Sequence, residues 1–303
     1  MKKITVQKIA QLQGHKASIY ALAQAQAPHL FLSGAGEGWI VQWDLTQPKD
    51  GNLLAKVEGN IFSLLHLPLQ NCVLAGNMYG GLHWVDLDKP DNTKNIAIHK
   101  DGIFGIHHIG KHVYTLGGRG LLTKWNIETR RSIESLHLSH QSLRSLAFAE
   151  NRNQVAIGAS DHHIYFVDLD KMVVTNTIKK AHDNSVFALQ YSPDQKHLLS
   201  AGRDAHLKVW NIDNQNQLLS SQSAHWFTIN KIAFHPKGHI FATASRDKTI
   251  RIWDSQSLQL LKEIDAARNG GHINSVNNLL WSSYNNYLIS ASDDRSLIVW
   301  DIY

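Results

Sequence analysis

One position recurring at a near-constant interval constrains this chain more than any other feature. It is occupied by Trp43, Val85, Trp125, Val167, Trp210, Trp253 and Trp300, spaced 42, 40, 42, 43, 43 and 47 residues apart, and each is followed by Asp or Asn. Self-similarity at such a period means stacked copies of one supersecondary unit, none of which can bury its apolar face alone. A histidine keeps the same phase. His15, His182, His225 and His272 each stand 28 residues before their Trp, His99 stands 26 before Trp125, and His140 stands 27 before Val167. The second unit has Val57 at that place.

Inside each unit, short runs such as "SVFALQYS", "HLLSAG" and "LKVWNI" are separated by turn-rich joints such as "SPDQ" and "GRDA". Alternation over a few residues, rich in β-branched and aromatic side chains, reads as strand, and no helical period competes with it. Four short strands in a unit of this length match the period of a propeller blade. The expected fold is all-β: a seven-bladed β-propeller of four-stranded antiparallel blades, with residues 1–303 as one domain. Before His15 lies the alternating "ITVQKIA" of residues 4–10, while only three residues follow Trp300. Open strand edges invite aggregation, so residues 4–10 are expected to close the ring as the outer strand of the last blade.

The stretch "TASRDKTIRIWD" (243–254), with His225 upstream, holds the ingredients of a nucleophilic triad. The set occurs three times in one phase: His182, Ser200, Asp204 and Trp210; His225, Thr243, Asp247 and Trp253; His272, Ser290, Asp294 and Trp300. An enzyme needs one nucleophile in one cleft. Three phase-locked copies are expected to be structural hydrogen-bond networks, and no catalytic residue is assigned. The set decays elsewhere. The first unit has Glu37 for the acid, the second has Val57, Ala75, Tyr79 and Val85, the third has Arg119 at the acid position, and the fourth keeps His140 and Asp161 beside Ile157 and Val167. Blades 2 to 4 are therefore expected to depend on apolar packing.

The pattern of Gly-His, a 28-residue interval and Trp-Asp resembles the WD-repeat β-propeller family over residues 4–303. The resemblance implies that the four phased side chains form a buried chain across three strands of a blade. It also implies a non-enzymatic scaffold that binds a protein or peptide on the loop face around the central channel, without a cofactor and monomeric by itself. The family's rim position falls here on Tyr20, Phe62, Phe104, Arg144, Phe187, Asn230 and Asn277. The residue before the turn acid adds Met78, Arg203 and Arg246 to that face. Aromatic and Arg side chains are prominent in interfaces, so a peptide with an apolar anchor and an acidic group would suit Phe62, Phe104 and Arg144. Two dispositions of the rings stay open: an exposed binding rim, or rings turned inward to plug the channel.

Other readings are weaker. A basic balance of 30 Lys and Arg against 25 Asp and Glu is the only hint of an RNA- or translation-associated subunit, and it comes as isolated pairs rather than a run. Nucleic-acid binding needs clustered positive charge. An enzyme with a site in the channel would need convergent polar groups, whereas the inner strands read mostly apolar ("SIYALA", "IFSLLHL"). "SGAGEGW" (33–39) has the glycines of a phosphate loop but is followed by a strand pattern, so it reads as a turn. The pairs His107-His108 and His162-His163 cannot chelate through both rings from adjacent strand positions, and no metal is expected. Cys72 is the sole cysteine, which excludes an internal disulfide. Gln7, Lys8, Gln11 and Gln13 interrupt any signal-peptide core, and no run approaches a membrane span. A cytoplasmic protein is expected. The segment 265–272, "DAARNGGH", reads as an exposed loop and the first site of proteolytic attack.

Overall fold

A computed structural model describes residues 4–303. Its strands form seven separate four-stranded antiparallel sheets. Blade 1 is built from Ile19–Gln24, Leu30–Ala35, Trp39–Asp44 and Asn52–Lys56, in that order from the axis outward. The other inner strands are Ile61–Leu67, Ile103–Ile109, Leu143–Ala149, Val186–Tyr191, Ile229–Phe234 and Val276–Trp281. Each inner strand packs against those of both neighbouring blades, and the first packs against the last, so the sheets close into a ring.

The closing blade takes its outer strand from the start of the chain. Val6–Leu12 pairs antiparallel with Leu297–Ile302, in register from Val6 opposite Ile302 to Leu12 opposite Leu297. Thr5 and Tyr303 add two mutual backbone hydrogen bonds of 2.7 and 3.1 Å. This strand begins and ends two residues later than residues 4–10. Its anchor is Leu12, which is buried beside Ile19, Trp43 and Val299.

The core lies between blades. Ile240 and Ile252 of blade 6 meet Leu279, Ile298 and Trp300 of blade 7, and each blade–blade seam repeats the arrangement with its own residues. Trp84, Trp125 and Trp300 are fully buried in these seams. Large apolar side chains of this kind supply roughly 1.5–3 kcal/mol each on burial. The two middle strands of a blade are therefore largely buried, while outer strands such as Arg131–His137 are exposed.

The turn between the second and third strands repeats as faithfully as the tryptophans do. Gly38, Gly80, Gly120, His162, Ala205, Lys248 and Arg295 all have positive φ, one in each blade. At Gly38 a Cβ would come within 2.0 Å of the Val57 carbonyl oxygen, so only glycine fits. The "SGAGEGW" segment is this strand–turn–strand connection.

Segment 265–272 differs from the expected open loop. Ala266–Asn269 forms one helical turn, capped by the Asp265 side chain accepting from the Arg268 backbone N–H and ended by Gly270 at φ 63°. Arg268 also pairs with Asp265 and Glu263. The segment is exposed but tied down, which removes the basis for expecting the first cleavage there. The reason lies in Asp265, an N-cap residue ahead of two alanines.

Candidate partner-binding face

Three histidine networks brace the loops of one face. In blade 5, His182 Nδ1 lies 2.9 Å from Asp204 Oδ2 and Nε2 lies 2.7 Å from Ser200 Oγ, while Trp210 Nε1 donates to the same Oγ at 2.8 Å. Blade 6 repeats this with His225, Asp247, Thr243 and Trp253 at 2.9, 2.7 and 2.9 Å. Blade 7 does so with His272, Asp294, Ser290 and Trp300 at 2.8, 2.8 and 2.9 Å. Each carboxylate also accepts the backbone N–H of the residue after the histidine: Asp183, Trp226 and Ile273. The acid thus ties the inter-blade loop to the turn beside it.

Burial would raise the Asp204 carboxyl, but hydrogen bonding and attraction from His182, with the N–H groups of Asp183 and His206, bring it down to about 2. Asp247 and Asp294 are held low by the same balance. Burial also depresses His182 and His225 despite their carboxylate partners. The hydroxyls of Ser200, Thr243 and Ser290 belong to completely buried residues. No substrate can reach them.

The decayed units are more polar than apolar packing alone would require. In blade 1, Glu37 reaches His15 Nδ1 at 2.5 Å and accepts the N–H groups of Lys16 and Ala17. Blade 2 builds a different network. Asn77 Nδ2 lies 3.1 Å from His83 Nε2 and donates to the Glu58 carbonyl, and its Oδ1 accepts from Tyr79 and Gly81. Blade 3 keeps His99, Thr115 and Trp125 in contact, but Arg119 turns outward to Asp101, leaving the buried His99 Nδ1 without a partner. In blade 4, His140 is exposed. Asp161 instead accepts from Ser139 Oγ at 2.5 Å and Tyr165 Oη at 2.6 Å. The slot 28 residues before Val167 is Ser139, so the one-residue shift in spacing displaced His140.

All seven rim positions converge on the mouth of the central channel, a cavity of about 340 Å³. A β-bulge makes this possible. In every blade the register slips at the second residue of the inner strand, and the skipped residues are Tyr20, Phe62, Phe104, Arg144, Phe187, Asn230 and Asn277. A bulge re-aims the side chain it carries. The rings neither stand free nor seal the channel: they are half-buried and lean on one another. Tyr20 meets Phe62 edge-on at 5.4 Å, Phe62 stacks on Phe104 at 5.3 Å, and the Arg144 guanidinium lies 3.9 Å from the Phe104 centroid and 5.3 Å from that of Phe187. Burial lowers Arg144 to about 10.

Asn230 and Asn277 are engaged otherwise. Their amides donate to the carbonyls of Val276 and Ile19 in the next blade, at 2.9 and 3.0 Å, and so stitch neighbouring blades together. Met78, Arg203 and Arg246 are exposed on the turns of the same face.

Sequence reasoning missed the most exposed apolar groups there. Trp226 is 82% exposed, Phe227 60%, Ile273 71% and Tyr79 59%. Side chains of that size left in solvent mark interaction surfaces when they cluster. Trp226 and Ile273 directly follow the network histidines of adjacent blades, and that position was the available signal. The cations Arg203, Arg246, Lys248 and Arg295 occupy the turns of blades 5 to 7 and are exposed, whereas the carboxylates Asp204, Asp247 and Asp294 are turned inward onto histidines. The face therefore combines apolar groups with four exposed cations, alongside the carboxylates Asp183 and Asp293.

His107 lines the channel while His108 is exposed with Nε2 on the Gly110 carbonyl, so the pair faces opposite ways. Among the described residues, no three His, Cys, Asp or Glu side chains are grouped to hold a metal ion. No helix among them is long and apolar enough to cross a membrane.

The family model described as "WD domain, G-beta repeat" matches residues 6–44, 173–211, 216–254 and 264–301, about half of the chain. The unmatched residues 45–172 hold blades 2 and 3 and the first three strands of blade 4, where the histidine networks have been rebuilt or truncated. No curated protein is a significant sequence match. The solved WD40 β-propeller domain of Doa1 is similar in fold, with a TM-score of 0.85 at 17% identity, covering 98% of this chain and 97% of that one.

Proposed function

The chain belongs to the WD-repeat family, and from that premise we propose that it is a non-enzymatic scaffold binding a protein or peptide partner on its loop face around the channel. Propellers of this family commonly serve as protein-interaction platforms and are generally not enzymes. The partner's chemistry follows from the face: an apolar anchor with an adjacent acidic group. The observation that carries this reading is the exposed Trp226, Phe227 and Ile273 set among Arg203, Arg246, Lys248 and Arg295, beside the aromatic arc from Tyr20 to Phe187. We read residues 1–303 as one folding unit, monomeric until it meets that partner. A cytoplasmic setting suits its single, buried cysteine.

The test is affinity capture of partners from native lysate, followed by titration of the purified partner against wild type and four variants. Phe104→Ala, Arg144→Ala, Trp226→Ala and Phe62→Ala should each weaken binding, by about 2 kcal/mol at a true hot spot. Trp226→Ala should leave the melting curve within about 0.5 kcal/mol, as an exposed substitution does. The arc variants lose ring contacts and should also lower stability modestly. Unchanged affinity in all four would move the site elsewhere. Capture of RNA with strong salt dependence would favour a nucleic-acid role instead.

A further inference from the structure

The residue after each bulge also lines the channel: Ala21, Ser63, Gly105, Ser145, Ala188, Lys231 and Asn278. Three of these are spent on the next blade. Ser63, Ser145 and Asn278 donate to the carbonyls of Ile103, Val186 and Tyr20. Ala21, Gly105 and Ala188 are small. Lys231 alone is charged, and its fold role is not apparent in its sister positions, which accept small or uncharged side chains.

Lys231 makes no side-chain hydrogen bond or ion pair among the described residues, and it is half-buried in the wall of the channel. Among the described residues, no carboxylate lines the channel. The titratable groups that do are Tyr20, His107, Arg144 and Lys231 itself. An ammonium in a channel wall without a counter-charge is unfavourable, and it is relieved either by losing its proton or by taking up an anion. The lumen has the donors for the second course. Arg144 uses only its Nε on Ser160 Oγ, which leaves its other N–H groups free of protein oxygens. The His107 ring is available as well. We propose that the central channel is a binding site for a small oxyanion group, a phosphate or a carboxylate, held by Lys231 with Arg144 and His107. Burial pushes Lys231 below its usual range, and burial with the Lys231 charge pushes His107 to about 3. Each depression reflects a cost of carrying charge there that a bound oxyanion would offset. The site does not depend on the protein partner proposed above.

The experiment is calorimetric titration of the full chain with inorganic phosphate and, separately, with succinate. Saturable binding of one ion per chain is expected, weakened at least tenfold by Lys231→Met and unchanged by Lys171→Met, an exposed lysine outside the channel. Phosphate binding alone identifies a free oxyanion ligand; succinate binding identifies a carboxylate group. Should Lys231→Met fail to fold, wild type suffices. Binding should draw in a proton, seen as heats that differ between buffers, and should shift the His107 ring signals. Affinity should fall as pH rises through the depressed Lys231 value. Absence of saturation by both anions, or binding with neither Lys231 dependence nor proton uptake, overturns the proposal.

Discussion

Asp161 and Asp247 occupy equivalent places in their repeats yet sit in different surroundings. The Asp247 side chain is 4% exposed and accepts from His225, Thr249 and two backbone N–H groups. The Asp161 side chain is 19% exposed, and its donors are Ser139, Tyr165 and the His163 N–H. Asp247→Ala should therefore strand a buried imidazole and cost about 1–3 kcal/mol or more, while Asp161→Ala leaves donors that can turn to water and should cost less. Comparable denaturation midpoints for the two variants would overturn this ranking. Residues in strict 28-residue phase were legible in the sequence because the network demands fixed partners. His140 was not, because one residue of slack in a loop moved Ser139 into the slot. Asn77 and His83 were invisible for another reason: they restore polar satisfaction with residue types that the repeat does not specify.

Val6–Leu12 is the element on which the ring depends. It pairs along one side only, with Leu297–Ile302, and its Lys8 reaches the Gly270 carbonyl at 2.7 Å. Deleting residues 1–10, of which 1–3 lie outside the described residues, should expose that partner strand and drive dimerisation or aggregation. A truncated chain that remains monomeric with an unchanged melting curve would falsify this closure. Strand alternation made the closing segment legible to within two residues. The inner-strand bulges were not legible, since Tyr20, Asn230 and Arg144 share no residue type that marks a bulge. The position they re-aim is a property of backbone register, and register is set by blade neighbours far away in sequence. The helical turn Ala266–Asn269 escaped for a simpler reason: one turn is too short to show a period.

At the scale of the whole molecule, buried neutral histidines set the acid limit. Burial holds His99 and His235 at about 4 and His107 at about 3, against an ordinary value of 6.5. Between those values the unfolded chain binds more protons than the folded one, so stability is full above about pH 6.5 and falls as pH drops below it. Each group can contribute up to about 1.4 kcal/mol per pH unit. Asp204, held at about 2 against 3.8, adds a second loss below pH 4 as it protonates. Denaturation midpoints should be level from pH 8 to 7 and decline steadily toward pH 4.5; a flat profile over that range would show these histidines to be solvated. The ring as a whole was legible because seven copies of one interval admit few architectures. Its exposed knob was not, because a Trp after a histidine looks the same in sequence whether it packs or protrudes. The paired ends carry one mechanical consequence. Thr5 and Tyr303 lie side by side at the same end of an antiparallel pair, so a load pulling them apart meets the ladder bonds one at a time. The clasp should peel like a zipper at low force instead of resisting in shear, and the circle would open at this seam while the other six blades are still intact.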